Sequence, residues 1–567
     1  MDLSLPTGFS SARDALLAGD CGTAVSTFEA LVAASPTDVE AHYWLASASL
    51  TAGDSTRAEQ ALDTARTLHT VQLAKGLGVD VARCRSDAAY AHEIADHLYG
   101  ENMVAMSTVI RGLALSAGAV DAKGLVSWGL ALQHQGRAEE ASAVFQWAAE
   151  QFRSAAVQQF RIFPQMFCDD GDARHAEQAR AWAHLYAPTI SSGPLTNPAR
   201  VGRKLRIGYV APSFAQSQLR QFIAPLLDHH DPQGFSVTLY PNVAVTEEGW
   251  PAWVRIHPIG HLDDAAAADL IRRDGIDVLS DCWGHTSGSR IAVFARRPAP
   301  VQVAWMNFVQ TTGLDQMDYV LHGDANGERD AEGLFTEHPW SIGPVFNAFR
   351  PPRGRLDPVA TPALSSAQVT FGSFNHPAKL SAWTLDAWGA ILRGAVSSRL
   401  LLKYRYFADP VLQRVIQAQF AARGVAPERI VFAGHSIGEA YFQSYREVDL
   451  MLDTWPAPGS TTTLDALSNG VPVLAKPTPT SGGRNVRAIL EAAGLPDMVA
   501  DCPQDYVDRA VALAEDPQKL DALRARVRPG FDNGPCCDEV GFTRRVEQAF
   551  GEMFDLWRTR QDAAAHG

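Results

Sequence analysis

Three groups of residues in this 567-residue chain have types and spacings suited to chemistry. Lys379 follows FNHPA (374–378), directly after the apolar run VTFG (369–372), which places a cation just past the end of a predicted strand. Gly459-Ser460-Thr461-Thr462 leads into the helical pattern TLDALSNG (463–470). N–H groups at a helix start, with hydroxyls beside them, form a cradle for an anion. The plain alternatives are a solvated lysine and an ordinary N-cap, since Ser and Thr favour helix starts anyway. His285, in Gly284-His285-Thr286, follows the apolar run IDVLSD (276–281), where catalytic groups of open sheets gather. It can take or give a proton near neutral pH, with Asp281 nearby to orient it. A structural, hydrogen-bonding histidine is the alternative. Asp169-Asp170-Gly171-Asp172 has the spacing of a metal-binding Asp-x-Asp, but it falls in a turn far in sequence from the cradle. It reads as solvated turn chemistry. No HExxH pair occurs, and no zinc site is expected.

Composition narrows what those groups can serve. Hydrophobic residues make up 46% and charged ones 20%, a globular balance. The length calls for two to four domains. A formal charge of −14, without Lys/Arg blocks, argues against nucleic acid or an anionic membrane as partner. No stretch approaches the ~18 apolar residues of a spanning helix, and MDLSLPTGFSSARDALLAGD carries no signal-peptide pattern. Seven cysteines without a CxxC pair, Cys536-Cys537 being vicinal, suit reduced thiols in a cytoplasmic protein.

The elements that must position these residues fall into two regimes. Gly19 is followed by Ala24 and Phe28, and Gly53, thirty-four residues later, by Ala58 and Leu62 at the same offsets. The pattern returns at Gly100 (Ala105, Val109) and Gly136 (Ala141, Phe145), with a weaker echo at Gly171 (Ala176). Glycine closes the first helix of a pair, the small Ala lets the second approach, and the large residue lies on the same face. Such a period is the tetratricopeptide signature, so residues 1–195 read as an α-solenoid, degenerate over 67–95. Its concave groove would take a protein or peptide; a structural annex or dimerisation surface is the alternative use.

From residue 203 the period changes. KLRIGYV, FSVTLYPN, IDVLSD, PVQVAWM and MDYVLHGD are strand-like runs separated by helical stretches. After a Pro/Arg-rich linker (344–364) the alternation restarts with VTFGSFN, SRLLLKYR, RIVFAG, VDLMLDT and PVLAK. Two doubly wound α/β units, over 200–350 and 365–540, with a C-terminal helix over 541–567, would enclose a cleft at their strand ends. No GxGxxG follows the first strand, which weighs against a nicotinamide or flavin cofactor.

GHTSGSRIAVFARRPAPVQVAW (284–305) and TTGLDQMDYVLHGD (311–324) resemble the catalytic region of the O-GlcNAc transferase and SPINDLY family of protein glycosyltransferases. FNHPAK (374–379), LDTWPAPGSTTTLDAL (452–467), GVPVL (470–474) and Arg484 continue the resemblance in order and spacing. It implies a GT-B pair of Rossmann-like domains behind tetratricopeptide repeats, of the bacterial type. It also implies inverting transfer of a sugar from a nucleotide-sugar to a protein side-chain hydroxyl, without a metal or other cofactor. Carried over residue by residue, Lys379 stabilises the leaving phosphate and His285 acts at the sugar or acceptor. Gly459, Ser460, Thr461 and Thr462 then hold the diphosphate, Asp465 contacts the ribose, and His376 and Tyr441 occupy donor-site positions.

Several positions depart from the family pattern. APSFAQSQLRQF (211–222) has Ser217 near the place of a family histidine, Ser460 replaces another, and His376 and Tyr441 replace a glutamine and a base-contacting histidine. The family's WxGYP reads Trp305-Met306-Asn307-Phe308-Val309. Phosphate-gripping residues persist where base- and sugar-reading ones differ, which points to a changed donor or acceptor. A flagellin glycosyltransferase using a CMP-activated nonulosonic sugar and a catalytically silent repeat scaffold are the alternatives.

Overall fold

The computed structural model describes residues 8–118, 120–168, 170–187, 193–215, 217–243, 249–306, 309–325, 333–352 and 354–566. Asp169, Asn307 and Phe308 lie outside the described residues, as does the Ser217 side chain.

The N-terminal third is a stack of helices. Phe9–Leu17 pairs with Cys21–Ala34, Val39–Thr51 with Ser55–Gly76, Ala88–Gly100 with Val104–Ser116, and Ala122–Gln133 with Ala138–Phe152. Aspartates open many of them: the carboxylates of Asp20, Asp38, Asp54, Asp87 and Asp121 each accept an N–H three residues on. Ala24 with Phe28, and Ala141 with Phe145, are fully buried as the repeat requires. The lengthened helix Ser55–Gly76 and an extra turn, Val81–Cys84, break the period across 67–95. Two expected turns differ. Gly100 ends a helix whose left-handed turn residue is Asn102, and Gly171 opens the helix Gly171–Tyr186 instead of closing one.

The expected peptide groove is corrected in part, because the array packs on the rest of the chain. Val39–Thr51 and Ser55–Gly76 lie on the helix Pro410–Ala421, where Ser47 Oγ and Thr51 Oγ1 donate to the Ala418 and Ala422 carbonyls and Arg414 pairs with Glu40. Asp409 joins the two bodies most directly. One of its oxygens accepts N–H groups of Ala105 (2.7 Å) and Met106 (3.3 Å), and the other those of Val411 (2.9 Å) and Leu412 (3.3 Å). A single carboxylate thus caps one helix of the array and one of the second α/β unit. Groups of the array that would line a groove are covered here by Pro410–Ala421, which leaves a depression of about 170 Å³ lined by Ala46, Leu50, Ala58, Leu62 and Ala418.

The first α/β unit is a seven-stranded parallel sheet of β1 (Leu205–Ala211), β2 (Phe235–Pro241), β3 (Arg255–Ile256), β4 (Val278–Asp281), β5 (Val301–Ala304), β6 (Tyr319–His322) and β7 (His338–Ser341), in the order β3-β2-β1-β4-β5-β6-β7. The second has β8 (Thr370–Ser373), β9 (Arg399–Lys403), β10 (Ile430–Ala433), β11 (Leu450–Leu452) and β12 (Val473–Leu474), in the order β10-β9-β8-β11-β12. All ten strand-like runs read from the sequence are strands. β3 and β7 escape that reading because they are short edge strands, β7 carrying a proline that only an edge tolerates. In both sheets the order turns beside the first strand of the unit, which opens a crevice at the carboxyl ends of β1/β4 and β8/β11.

The last helix, Glu539–His566, returns to the first unit, where Glu547 accepts from the Asp231 N–H and bonds His230, and Phe550 packs on Tyr209 and Trp305. The array reaches the first unit too. Gly313, at φ 74°, lies against the helix Gly171–Tyr186 so closely that a Cβ would overlap the Ala179 backbone. Gly313→Ala is expected to lower stability by about 2–3 kcal/mol through strain and forced separation of the two elements. A thermal melt indistinguishable from wild type would contradict this close approach.

Candidate active site

Two of the sites marked by the sequence, Lys379 and the loop Gly459–Thr461, meet in a cleft between the two α/β units. Lys379 ends the turn Pro377–Lys379 after β8, and its Nζ donates to the Pro458 carbonyl at 2.6 Å. It therefore stands beside Gly459, Ser460 and Thr461, and the four line one cleft with Gln310 and Asn347 of the first unit. Burial lowers the affinity of Lys379 for its proton, and Asp453 opposes this. The open space is about 150 Å³. A wider rim depression of about 480 Å³, lined by Asp324, Arg484 and Arg487, contains neither the lysine nor the helix mouth.

The mouth belongs to the helix Thr461–Ser468, whose N-cap Ser460 makes no side-chain cap bond. Its first N–H groups keep their positive end toward the cleft. Glycine is required at 459, where a Cβ would stand 2.6 Å from Thr463 Oγ1 and 2.8 Å from Thr462 Oγ1. Asp453 holds this loop by accepting the N–H groups of Gly459 (2.6 Å) and Thr454 (2.9 Å) and the Asn375 amide. Thr462 Oγ1 donates to Asn375 Oδ1 at 2.8 Å, which ties the mouth to the end of β8.

Asp465, within the helix Thr461–Ser468, meets Tyr441. Tyr441 Oη donates to Asp465 Oδ2 at 3.1 Å and lies 2.9 Å from Tyr445 Oη, while Asp465 Oδ1 is buried without a hydrogen-bond partner. Burial pushes Asp465 up to about 7, the tyrosine hydroxyl holding it down slightly. A buried carboxylate oxygen with no partner is costly and suits a site completed by ligand hydroxyls. His376 caps the lysine turn through Nδ1, which accepts the Ala378 N–H, and packs among His134, Tyr404 and Tyr406. Burial, with the nearby cations, keeps it neutral. It supports Lys379 from behind the cleft.

Two readings of the sequence change here. His285 is 1% exposed and lies in the wall between the first unit and the array. Its Nε2 bonds the Thr312 carbonyl at 2.7 Å, its Nδ1 the Gln159 amide at 3.3 Å, and Trp182 covers it edge-on. Burial pulls it down to about 3, so it is neutral and steadies the loop 311–313. Asp281 does not orient it, but accepts the N–H groups of Trp283 and Gly284. The Asp-rich turn also departs from its expected solvated role. Asp170 is exposed and pairs with Arg174, but Asp172 enters the cleft and accepts the Ser481 N–H at 2.9 Å. The contact spans 309 residues of sequence and leaves no local signal.

Two doubly wound parallel sheets facing across a cleft, with a helix returning from the second to the first, define the GT-B class of fold. The glycosyl transferase family 41 profile matches residues 193–337 and 359–538, and a tetratricopeptide repeat profile matches 9–70. The chain belongs to glycosyl transferase family 41. It is 31% identical over 404 residues to the probable UDP-N-acetylglucosamine–peptide N-acetylglucosaminyltransferase SPINDLY of Oryza sativa subsp. japonica, an overlap of 69% of this chain and 42% of that one. It is 23% identical over 513 residues to the UDP-N-acetylglucosamine–peptide N-acetylglucosaminyltransferase of Caenorhabditis elegans, an overlap of 68% and 44%. The chain thus spans less than half the length of these relatives. A lysine-to-methionine mutant of the Thermobaculum terrenum O-GlcNAc transferase superposes with a TM-score of 0.75, over 98% of this chain and 100% of that one, at 24% identity; this shows the shared fold.

Proposed function

We propose that the chain transfers a sugar, with inversion and without a metal, from a nucleotide-sugar to side-chain hydroxyls of a protein. The observation that carries this reading is the shared position of Lys379 and the uncapped helix mouth at Thr461 in one cleft between the units. As the bond from sugar to diphosphate breaks, negative charge grows on the departing phosphate. A fixed ammonium and aligned N–H groups meet that charge without reorganising, and no metal is invoked. UDP-N-acetylglucosamine, which the relatives' names carry, is the proposed donor, with Asp465 at the ribose and Tyr441 at the base. The acceptor enters beside Met166, Gly171 and Asp172, so the array supplies a wall of the site. Among the described residues no helix is long and apolar enough to cross a membrane, and all seven cysteines are unpaired, which suits a cytoplasmic setting.

Calorimetry with UDP-N-acetylglucosamine, its CMP-linked counterparts and the Asp465→Asn variant tests the donor side. Donor hydroxyls prefer the ionised carboxylate, so binding releases protons around pH 7 and affinity rises from pH 6 to 8. Asp465→Asn is expected to lose this pH dependence and about tenfold in affinity, the net worth of one hydrogen bond to a charged group. Binding of a cytidine nucleotide in place of the uridine one would overturn the donor assignment, and sugar addition to no acceptor would overturn the activity.

A further inference from the structure

Attack by a hydroxyl on the anomeric carbon requires that its proton be taken up. The cleft that holds Lys379 is lined, among the described residues, by Met166, Phe222, Gln310, Asn347, backbone and hydroxyl groups of 456–461 and 480–485, and one carboxylate, Asp172. Among the described lining residues there is no histidine, and Asp172 is the one carboxylate, a group whose oxygens can accept a proton from a hydroxyl. The other acidic groups nearby are engaged elsewhere. Asp453 is buried under the glycine loop, Asp465 faces Tyr441, and Glu337 is buried behind the loop 311–313, where it accepts the Thr312 N–H.

Asp172 is also held firmly. It lies in the first turn of Gly171–Tyr186, directly after a glycine at which a Cβ would overlap the Gln165 carbonyl. Gln165 is itself buried and donates to Ser142 and the Arg161 carbonyl. The same helix touches the first unit through His175, which bonds the Thr311 carbonyl at 2.9 Å, and the second through Ser481, whose N–H and Oγ reach Asp172 Oδ2 at 2.9 and 3.3 Å. The helix thus touches both units, and its Asp172 lines the same cleft as Lys379.

We propose that Asp172, a residue of the helical array, is the general base of the transfer. This rests on the glycosyl-transfer reading above. The acceptor oxygen attacks the anomeric carbon and its proton passes to an Asp172 oxygen. The bond from sugar to diphosphate breaks with its electron pair on the phosphate oxygen, beside Lys379, and Asp172 returns the proton to solvent after release. The array then completes the catalytic constellation as well as recruiting acceptors.

The test compares full-length wild type with Asp172→Asn and Asp172→Ala, using UDP-N-acetylglucosamine and a library of Ser- and Thr-containing peptides, with added sugar read by mass spectrometry. The Asn carbonyl still accepts the Ser481 N–H, so Asp172→Asn keeps the contact and removes the base. Its rate at saturating donor is expected to fall about 10²–10⁴-fold, with UDP affinity and melting temperature unchanged. Added formate is expected to restore part of the rate of Asp172→Ala and none of that of Asp172→Asn. A rate for Asp172→Asn within about threefold of wild type would refute the base and leave the glycosyl-transfer reading standing. So would a loss matched by an equal loss of UDP affinity, which would make Asp172 a positioning residue. Wild type that adds no sugar to any peptide would sink both.

Discussion

Lys379→Met is expected to lower sugar transfer about a thousandfold, the scale of losing one preorganised charge at a developing anion, or roughly 4 kcal/mol. Methionine fills the space of the lysine stem, so the turn Pro377–Lys379 and its packing against His376 and Leu380 persist. The ammonium is desolvated, and its Nζ donates to the Pro458 carbonyl. Removing it relieves that desolvation, so the variant is expected to melt no lower than wild type. UDP affinity should fall about tenfold while the rate at saturating donor falls much further, because the charge on phosphate grows toward the transition state. A variant that binds UDP weakly but transfers at the wild-type rate would remove Lys379 from the chemistry.

Asp409→Ala is expected to be the most destabilising single change outside the cores. It strips caps from two helices at once and leaves four N–H groups, from Ala105, Met106, Val411 and Leu412, without their acceptor in a fully buried place. One cap is worth about 1 kcal/mol and a stranded buried donor more, so a loss of about 3–4 kcal/mol is expected. Because Asp409 joins the array to the second α/β unit, early proteolysis within residues 10–190 should accompany the loss. The pH dependence has a definite sign. Burial raises Asp409 to about 6, against which the four N–H bonds act. A carboxyl raised in the folded state contributes fully below about pH 4, and that contribution fades as pH climbs through 6. Wild type should therefore lose stability relative to Asp409→Asn between pH 4 and 7, by up to about 3 kcal/mol. A flat difference would show that the carboxylate is not desolvated by the interface.

Much of this architecture is legible in residue order because it is local. Apolar runs of four to seven residues become strands where helical stretches cover both faces, as at Leu205–Ala211 and Arg399–Lys403. The alternation of small and large residues marks helix pairs, and an aspartate before an apolar helix marks its start. The cradle is equally local, since Gly459 to Thr462 and the helix they open are contiguous in sequence. Lys379 joins it because strand ends of one parallel sheet point the same way, so β8 and β11 deliver their following loops to one edge. Arrangements between distant segments were not legible. His285 has the type and the strand-end place of a catalytic group, yet Trp182 and Gln159 from the array cover it. The hydrogen bond of Tyr441 to Asp465 likewise joins segments that are separate in sequence.

Sequence alone thus determined the repeat region, the two parallel sheets, the strand-end lysine and the helix mouth, and membership of a glycosyltransferase family. Tertiary structure alone decided that the array docks on the second unit through Asp409, that His285 is wall instead of catalyst, and that Asp172 enters the cleft. The reason is physical. Helix and strand periods record which face of a segment is buried, whereas the Asp172–Ser481 and Asp409–Ala105 bonds join groups some three hundred residues apart. Which buried face meets which depends on shape and hydrogen-bond complementarity that exist only once both partners are folded.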